Sequence, residues 1–380
     1  MKQTARIIST HSADVFGVCS ALFELGGMVI MHDASGCNST YTTHDEPRWY
    51  DMESMVYISG LSEMEAIMGD DEKLIGDIVA AAEDLKPKFI AVAGTPIPTM
   101  TGFDFAAVAE LIEMRTGIPA FGFPTTGMNT YVHGASMAFE QIAERFVDKT
   151  ADKTAEPSAN ILGLTPLDFT VNGSDTAIAA FLEDAGFTVL SRWAMGSTLE
   201  DLAKAGSAHV NLVVSSTGLA AAKKLNEMFG TPYVVGVPMG EAYSALLRSA
   251  LKTAAATGEN QFPVSDLPGG DTIIIGEGIT SVSLASALEL STGKAVRVIC
   301  STETAPGLLR KKDIPVTCEE EIDEAIVGAS CIIADPLFHP ICPQSARFVR
   351  LPAENFSGRI WREEIPNLIT DFDTFQKEVL

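Results

Sequence analysis

Short apolar runs that do not alternate with polar residues recur along this chain, and amphipathic stretches separate them. Gly27-Met28-Val29-Ile30 and Phe89-Ile90-Ala91-Val92-Ala93 are typical. A strand with no polar face is buried on both sides, which is the pattern of a parallel sheet covered by helices. Strands are expected near residues 28–31, 89–93 and 120–123, then 160–163, 188–191, 211–215 and 233–237, then 272–275, 296–300 and 331–334. Helical periodicity fills the gaps, as at 71–85, 175–185 and 218–229, so the order is strand–helix–strand throughout. The class is therefore α/β, with doubly wound, Rossmann-like parallel sheets.

At 380 residues the chain exceeds the ~100–200 residues typical of one domain. Two polar stretches divide it: 148–157, which ends in Pro157, and 261–270, which carries two prolines and a double glycine. Three domains are expected, over residues 1–157, 158–267 and 268–380, packed around a central cleft. Fifty acidic against 26 basic residues give a net charge of -24, which argues against nucleic acid as a partner, because phosphate binders concentrate Lys and Arg. No apolar run reaches the ~20 residues needed to span a bilayer, and the first residues lack the apolar core of a signal peptide, so a cytoplasmic protein is expected. Six cysteines without a regular framework suit a reducing compartment.

The segment Met31-His32-Asp33-Ala34-Ser35-Gly36-Cys37 places a thiol in a glycine-containing turn just behind an apolar strand. Open α/β sheets put their chemistry at the carboxyl ends of strands, and glycine lets the backbone approach a bulky group. A thiolate there suits an iron–sulfur ligand; a small buried residue in a tight turn is the plainer alternative. His32 can donate to a cluster sulfide or relay a proton near neutrality, or simply end a strand as a satisfied histidine.

These residues resemble component 1 of the nitrogenase superfamily, which also holds nitrogenase-like tetrapyrrole reductases and cofactor-assembly proteins. The family's His-Gly-x-x-Gly-Cys turn corresponds to His32-Asp33-Ala34-Ser35-Gly36-Cys37. Met68-Gly69-Asp70-Asp71-Glu72-Lys73-Leu74 is similar to its acidic helix start, and Gly102-Phe103-Asp104 to its Gly-Asp loop. Ala334-Asp335-Pro336-Leu337 and Phe356-Ser357-Gly358-Arg359 are similar to segments of its last domain.

The resemblance implies an Fe–S cluster, of the [4Fe-4S] kind, shared across a dimer interface, with Cys37 as a ligand. Cys19 lies on the apolar stretch 15–23, where a cysteine is more often core than ligand; the resemblance makes it a second candidate ligand, although it falls several residues late for the family's upstream cysteine, where Ser12 stands. The family's downstream cysteine is replaced in Gly94-Thr95-Pro96-Ile97-Pro98, which leaves Thr95 and Gly36 as neighbours of the cofactor. Four thiolates complete a cubane cluster, so the remaining ligands are expected from a second copy or from a component 1 paralogue. Ser215 stands where nitrogenase anchors its catalytic metal cluster, and the segment Leu351-Pro352-Ala353-Glu354-Asn355-Phe356 lacks the second anchor, a histidine. Dinitrogen reduction is thus not expected.

The implied activity is reduction of a small molecule with low-potential electrons from an ATP-dependent iron-protein partner. A non-catalytic scaffold that carries or assembles a metallocofactor is the alternative. Thr125-Thr126-Gly127-Met128-Asn129 and Tyr131-Val132-His133-Gly134 follow a strand, and His133 is expected to line the cleft as a donor to the substrate, unless turn chemistry alone selects these residues. The stretch His44-Asp45-Glu46-Pro47-Arg48-Trp49-Tyr50 reads either as a family segment or as an exposed loop. Gly276-x-Gly278-x-x-Ser281 approaches a dinucleotide fingerprint, with Glu303 as ribose partner, but serine replaces its third glycine. His339 and Cys342 are close enough in sequence to share a metal, with no second pair in view. Cys300 and Cys331 fall inside strands, as packing residues.

Overall fold

The structure, a computed structural model, describes residues 6–7, 13–36, 38–41 and 45–380. Cys37, Ser12 and His44 lie outside the described residues. Three all-parallel sheets follow one another along the chain. The first, in the order β2-β1-β3-β4, contains β1 (Met28–Met31), β2 (Met55–Ile58), β3 (Ile90–Ala93) and β4 (Ala120–Phe123). The second, β6-β5-β7-β8, contains β5 (Ser158–Leu162), β6 (Thr188–Trp193), β7 (Val210–Val213) and β8 (Tyr233–Val235). The third, β11-β10-β9-β12-β13, contains β9 (Thr272–Gly276), β10 (Val296–Cys300), β11 (Ile314–Pro315), β12 (Cys331–Ala334) and β13 (Arg347–Arg350). Each sheet is a doubly wound α/β unit. The predicted strands all appear, and β2, β11 and β13 are additions at sheet edges.

Each sheet has a switch point where the chain leaves one strand for neighbours on opposite sides: between β1 and β3, at β5, and at β9. Crevices open at such points at the strand carboxyl ends, and buried polar residues such as His32, Asp33, Thr165 and Glu277 stand just past them. Central strands are fully buried, as β1, β3 and β5 are along their whole length. Burial of each Ile, Val or Phe side chain contributes roughly 1.5–3 kcal/mol.

The helix Asp14–Leu22 crosses the helix Tyr131–Phe146 backbone to backbone. A Cβ on Gly17 would meet Tyr131 O at 2.0 Å, and one on Gly134 would meet Asp14 O at 1.8 Å. Both positions therefore require glycine, and the close approach fixes where Tyr131 stands. The stretch 45–48 is buried rather than an exposed loop, with Asp45, Glu46 and Arg48 at 6%, 0% and 3% exposure, and only its end, at Tyr50, is exposed. The Arg48 guanidinium explains this, since it donates to Glu46 Oε1 (2.6 Å), Glu24 Oε1 (2.9 Å), Ser20 O (2.8 Å) and Ala194 O (2.9 Å), tying the first sheet's helices to the second domain. The stretches 148–157 and 261–270 carry no helix or strand. The first is nonetheless pinned to the second sheet, because Lys153 Nζ donates to Ala208 O at 2.6 Å.

Candidate functional site

At the first switch point, the turn after β1 is organised by Asp33. Its carboxylate accepts from Thr95 Oγ1 (2.9 Å) and Asn38 Nδ2 (2.6 Å), while Thr95 Oγ1 also reaches His32 O (3.0 Å). His32 is buried, with Nδ1 2.9 Å from Ser59 Oγ and its ring centroid 4.4 Å from that of Phe103. Burial lowers its pKa from 6.5 to about 4, against the opposing pull of Asp33 and Glu65. The imidazole is therefore neutral at pH 7, which corrects the expectation of a group titrating near neutrality. A Cβ on Gly36 would meet nothing within 4 Å, so the turn leading to Cys37 is open on that side.

Cys19 does not join that turn. It sits at 0% exposure inside the helix Asp14–Leu22 and the main hydrophobic core, where burial pushes its thiol well up. A neutral thiol walled in by apolar side chains is a packing residue. Among the described residues, no group of three His, Cys, Asp or Glu comes together to hold a metal. The described part of one chain thus supplies no cluster ligand set. Cys342 Sγ turns to Phe338 O (3.2 Å) and His339 packs on Phe348, so that pair forms no site.

Ser215 is fully buried. Its hydroxyl donates to Gly163 O (2.8 Å) and lies 2.6 Å from Thr217 Oγ1, closing the turn between the ends of β5 and β7. His133 is exposed on the first turn of its helix and does not line the cavity between β5 and β9. The fingerprint reading of Gly276 to Ser281 is also overturned. Glu277 caps the helix Gly278–Thr292 with its own carboxylate, accepting from Ile279 N (3.1 Å) and Thr280 N (2.8 Å). A fixed anion stands where a pyrophosphate would bind, and like charge excludes it. Glu303 instead accepts from Thr130 N (2.7 Å), across to the first domain.

The carboxyl end of β9 and the stretch 168–174 that follows β5 face each other across this cavity, which opens to solvent. Its polar lining includes Asp168, Glu277, Asp335 and Asn355; Met239, Leu284 and Leu351 are among its apolar walls. The chain closes one side with its stretch 365–369. Glu277 bridges the two sheets, because its Oε1 also accepts from Ser216 N (3.0 Å) and Ser216 Oγ. Asp335 is spent on structure: it accepts from Leu337 N (2.9 Å), Ala353 N (2.8 Å) and Ser357 Oγ (2.8 Å).

Asp168 is the group with chemical freedom. It accepts from Thr165 Oγ1 (2.9 Å) and from the Tyr131 hydroxyl, which in turn accepts from Asn355 Nδ2 (2.8 Å). Burial first, and then the charge of Glu277, push its carboxyl up to about 7. A carboxyl that exchanges its proton near neutral pH at the wall of a cavity is suited to proton transfer. Neither Asp168 nor Asn355 is singled out by the sequence. The position of Asp168 just past β5 is the signal that was available for it; the partners of Asn355 lie some two hundred residues away and leave no local pattern.

Three parallel, doubly wound sheets, with a cavity between the second and the third, define a multi-domain α/β protein. Residues 14–263 match the nitrogenase component 1 type oxidoreductase family, and the chain belongs to it. It is 30% identical over 189 residues to a polypeptide of the light-independent protochlorophyllide reductase of Nostoc punctiforme, an alignment covering 47% of this chain and 37% of that protein. The corresponding polypeptide of Chlorobium limicola is 34% identical over 195 residues, covering 50% and 36%. The chain thus spans little more than a third of the length of these curated relatives. A solved structure titled "Nitrogenase Cp1 at pH 5" superposes with a TM-score of 0.67 at 14% identity, covering 100% of this chain and 90% of that one, which shows the shared fold.

Proposed function

We propose that this chain is a nitrogenase-like oxidoreductase subunit that binds a small organic molecule in the cavity between β5 and β9 and reduces it with electrons delivered by an ATP-dependent iron-protein partner. The observation that supports this is the cavity itself: a solvent-reached space at two switch points, with a carboxyl titrating near pH 7 in its wall. The naming of the Nostoc and Chlorobium relatives as reductases of an organic substrate agrees with it. Dinitrogen is not the substrate in this reading, since Ser215 is consumed by its turn. An Fe–S cluster enters only as a shared one, with Cys37 as this chain's ligand and the rest from a second copy or a paralogue. The surface beside that turn suits an interface: the helices Glu63–Met68 and Pro96–Thr101 pack together and expose Met64, Ile67, Met68 and Met100.

Anaerobic purification alone and with co-expressed family subunits, followed by iron and sulfide analysis, tests the cluster. Colourless, iron-free protein in both preparations, even after reconstitution, removes it. The second reading, a non-catalytic scaffold that carries or assembles a metallocofactor, draws on the replaced downstream cysteine at 94–98 and on Ser215. Ligand binding without turnover, in the presence of iron protein and ATP, supports the scaffold and removes the reductase.

A further inference from the structure

Of the six edge strands of the three sheets, five carry a device that keeps another strand from adding to them. The first residue of β4 has both backbone groups taken by side chains: Ala120 N donates to Glu113 Oε2 (3.0 Å), and Arg145 Nη1 donates to Ala120 O (3.4 Å). β6 bulges at Leu190, and β8 is covered by Gln261, whose N and O bond Tyr233 O and Val235 N, both at 3.0 Å. β11 is two residues long and ends in Pro315, while β13 has an exposed arginine at each end. β2 has none of these. It keeps an unbroken register with β1, from Met28 opposite Met55 to Met31 opposite Ile58, and contains no Pro, Lys or Arg. Ser59 N donates to Met31 O (3.1 Å) and Leu61 N to Asp33 O (2.8 Å), so alternation along the strand turns the backbone groups of Met55, Tyr57 and Ser59 toward β1. Those of Val56, Ile58 and Gly60 point away from the sheet, and among the described residues they have no hydrogen-bond partner. Tyr57 is exposed and Ile58 half-buried, so solvent reaches this edge.

We propose that β2 is a docking edge for an extended segment of a partner protein, apolar at its centre and flanked by Lys or Arg, which adds to the first sheet as a further strand. In strand addition the main-chain hydrogen bonds hold the segment, and pockets beside the edge choose its side chains. Such a groove adjoins β2: Trp49, Met52, Met55 and Leu85 are among its apolar walls, and its charged residues are Glu24 and Glu53. Charge decides the flanks of the segment. Exposed Asp51 and Glu53 precede the strand, exposed Glu63 follows it, and the chain carries no Lys or Arg from residue 49 to residue 72. A basic flank meets complementary charge at either end of this edge. A second copy of β2 would instead bring acidic ends against acidic ends, which opposes self-pairing.

Fluorescence anisotropy and amide hydrogen exchange on the full chain, with a labelled peptide Lys-Arg-Thr-Val-Phe-Val-Thr-Lys-Arg, test this. One control peptide carries Glu at its four basic positions, and another is N-methylated at its three central residues. In the free chain the Ile58 amide is expected to exchange fast, and the Tyr57 and Ser59 amides, held by β1, slowly. The basic peptide is expected to protect Ile58 and to bind roughly tenfold more tightly than either control, less tightly as salt is raised. Ile58→Pro removes an outward N–H without touching the ladder to β1, and is expected to weaken binding roughly tenfold. Glu53→Lys, a change at an exposed side chain, is expected to weaken it as well and keeps the test readable should the proline variant misfold. Slow exchange of Ile58 in the free chain, no binding of the basic peptide at millimolar concentration, binding equal to that of either control, or binding that leaves Ile58 unprotected overturns the proposal. Self-association that protects Ile58 without peptide also overturns it, in favour of a second copy.

Discussion

Replacing Glu277 with glutamine probes the joint between the second and third sheets and the electrostatics of the cavity together. The carboxylate is 3% exposed, and five donors converge on it: Ser216 N, Ser216 Oγ and Ile279 N on Oε1, Thr280 N and Thr280 Oγ1 on Oε2. Glutamine keeps the shape but offers one acceptor oxygen, so one end becomes an NH₂ that faces backbone N–H groups. In the milder placement Thr280 N, now at 2.8 Å from an acceptor, is left unpaired. A hydrogen bond to a charged group contributes about 1.5–3 kcal/mol, and the helix start loses a compensating anion. The relief of repulsion on Asp168 offsets part of this, leaving an expected loss of about 2–4 kcal/mol. Urea unfolding at pH 7 measures it.

A second readout follows from linkage. Asp168 is held at about 7, above its ordinary 3.8, so its proton stabilises the fold fully below pH 3.8, and that contribution is lost as pH rises through 7. Glu277 is the smaller of the two causes after burial. The variant should therefore titrate Asp168 lower, though still above 3.8, and lose less stability than the parent between pH 4 and 7. A loss under about 1 kcal/mol together with an unchanged pH slope would refute the reasoning.

The remaining predictions concern buried groups and close contacts outside the cavity. Cys19→Ser should cost about 1–3 kcal/mol in urea unfolding by placing a hydroxyl in the core, and in native protein a thiol reagent should modify exposed Cys318 while sparing Cys19 and Cys300. Gly134→Ala drives a methyl into Asp14 O and should cost about 1–3 kcal/mol or more, seen as a fall in Tm; an unchanged Tm would mean that the two helices are further apart than described. His32 should titrate near 4 by NMR, and its contribution to stability should be lost as pH falls from 6.5 through 4, because only the unfolded chain takes up the proton in that window. A midpoint at or above 6.5 would contradict its burial.

The alternation of apolar runs and helices was enough to read the interior of each sheet, because a strand buried on both faces has no freedom to include polar residues. Edge strands escaped for the converse reason. β13 begins and ends in arginine and so carries no uninterrupted apolar run, while β2, Met-Val-Tyr-Ile, is only partly buried and exposes Tyr57. The Cys37 turn stands out in the sequence as a motif, while the apolar stretch around Cys19 points to core before it points to a ligand, and its complete burial agrees. Asp168, Tyr131 and Asn355 come from three different domains of the chain, and only the folded topology brings them within hydrogen-bond reach. His133 is exposed and Tyr131 buried on one helix: two positions apart, side chains point some 200° apart, enough to exchange solvent for interior.

The stretch that closes the cavity has a mixed allegiance. It follows the third sheet in the chain, yet Asn172 donates to Ile365 O (3.2 Å), and Phe372 fills the space over Gly240, both on the second domain. Severing the protein at the polar stretch 261–270 would strip the second domain of this cover, so neither half is expected to behave as a free-standing module. Any hinge motion between the second and third sheets must also peel or drag this tail, which ties their relative movement to the cohesion of the two domains.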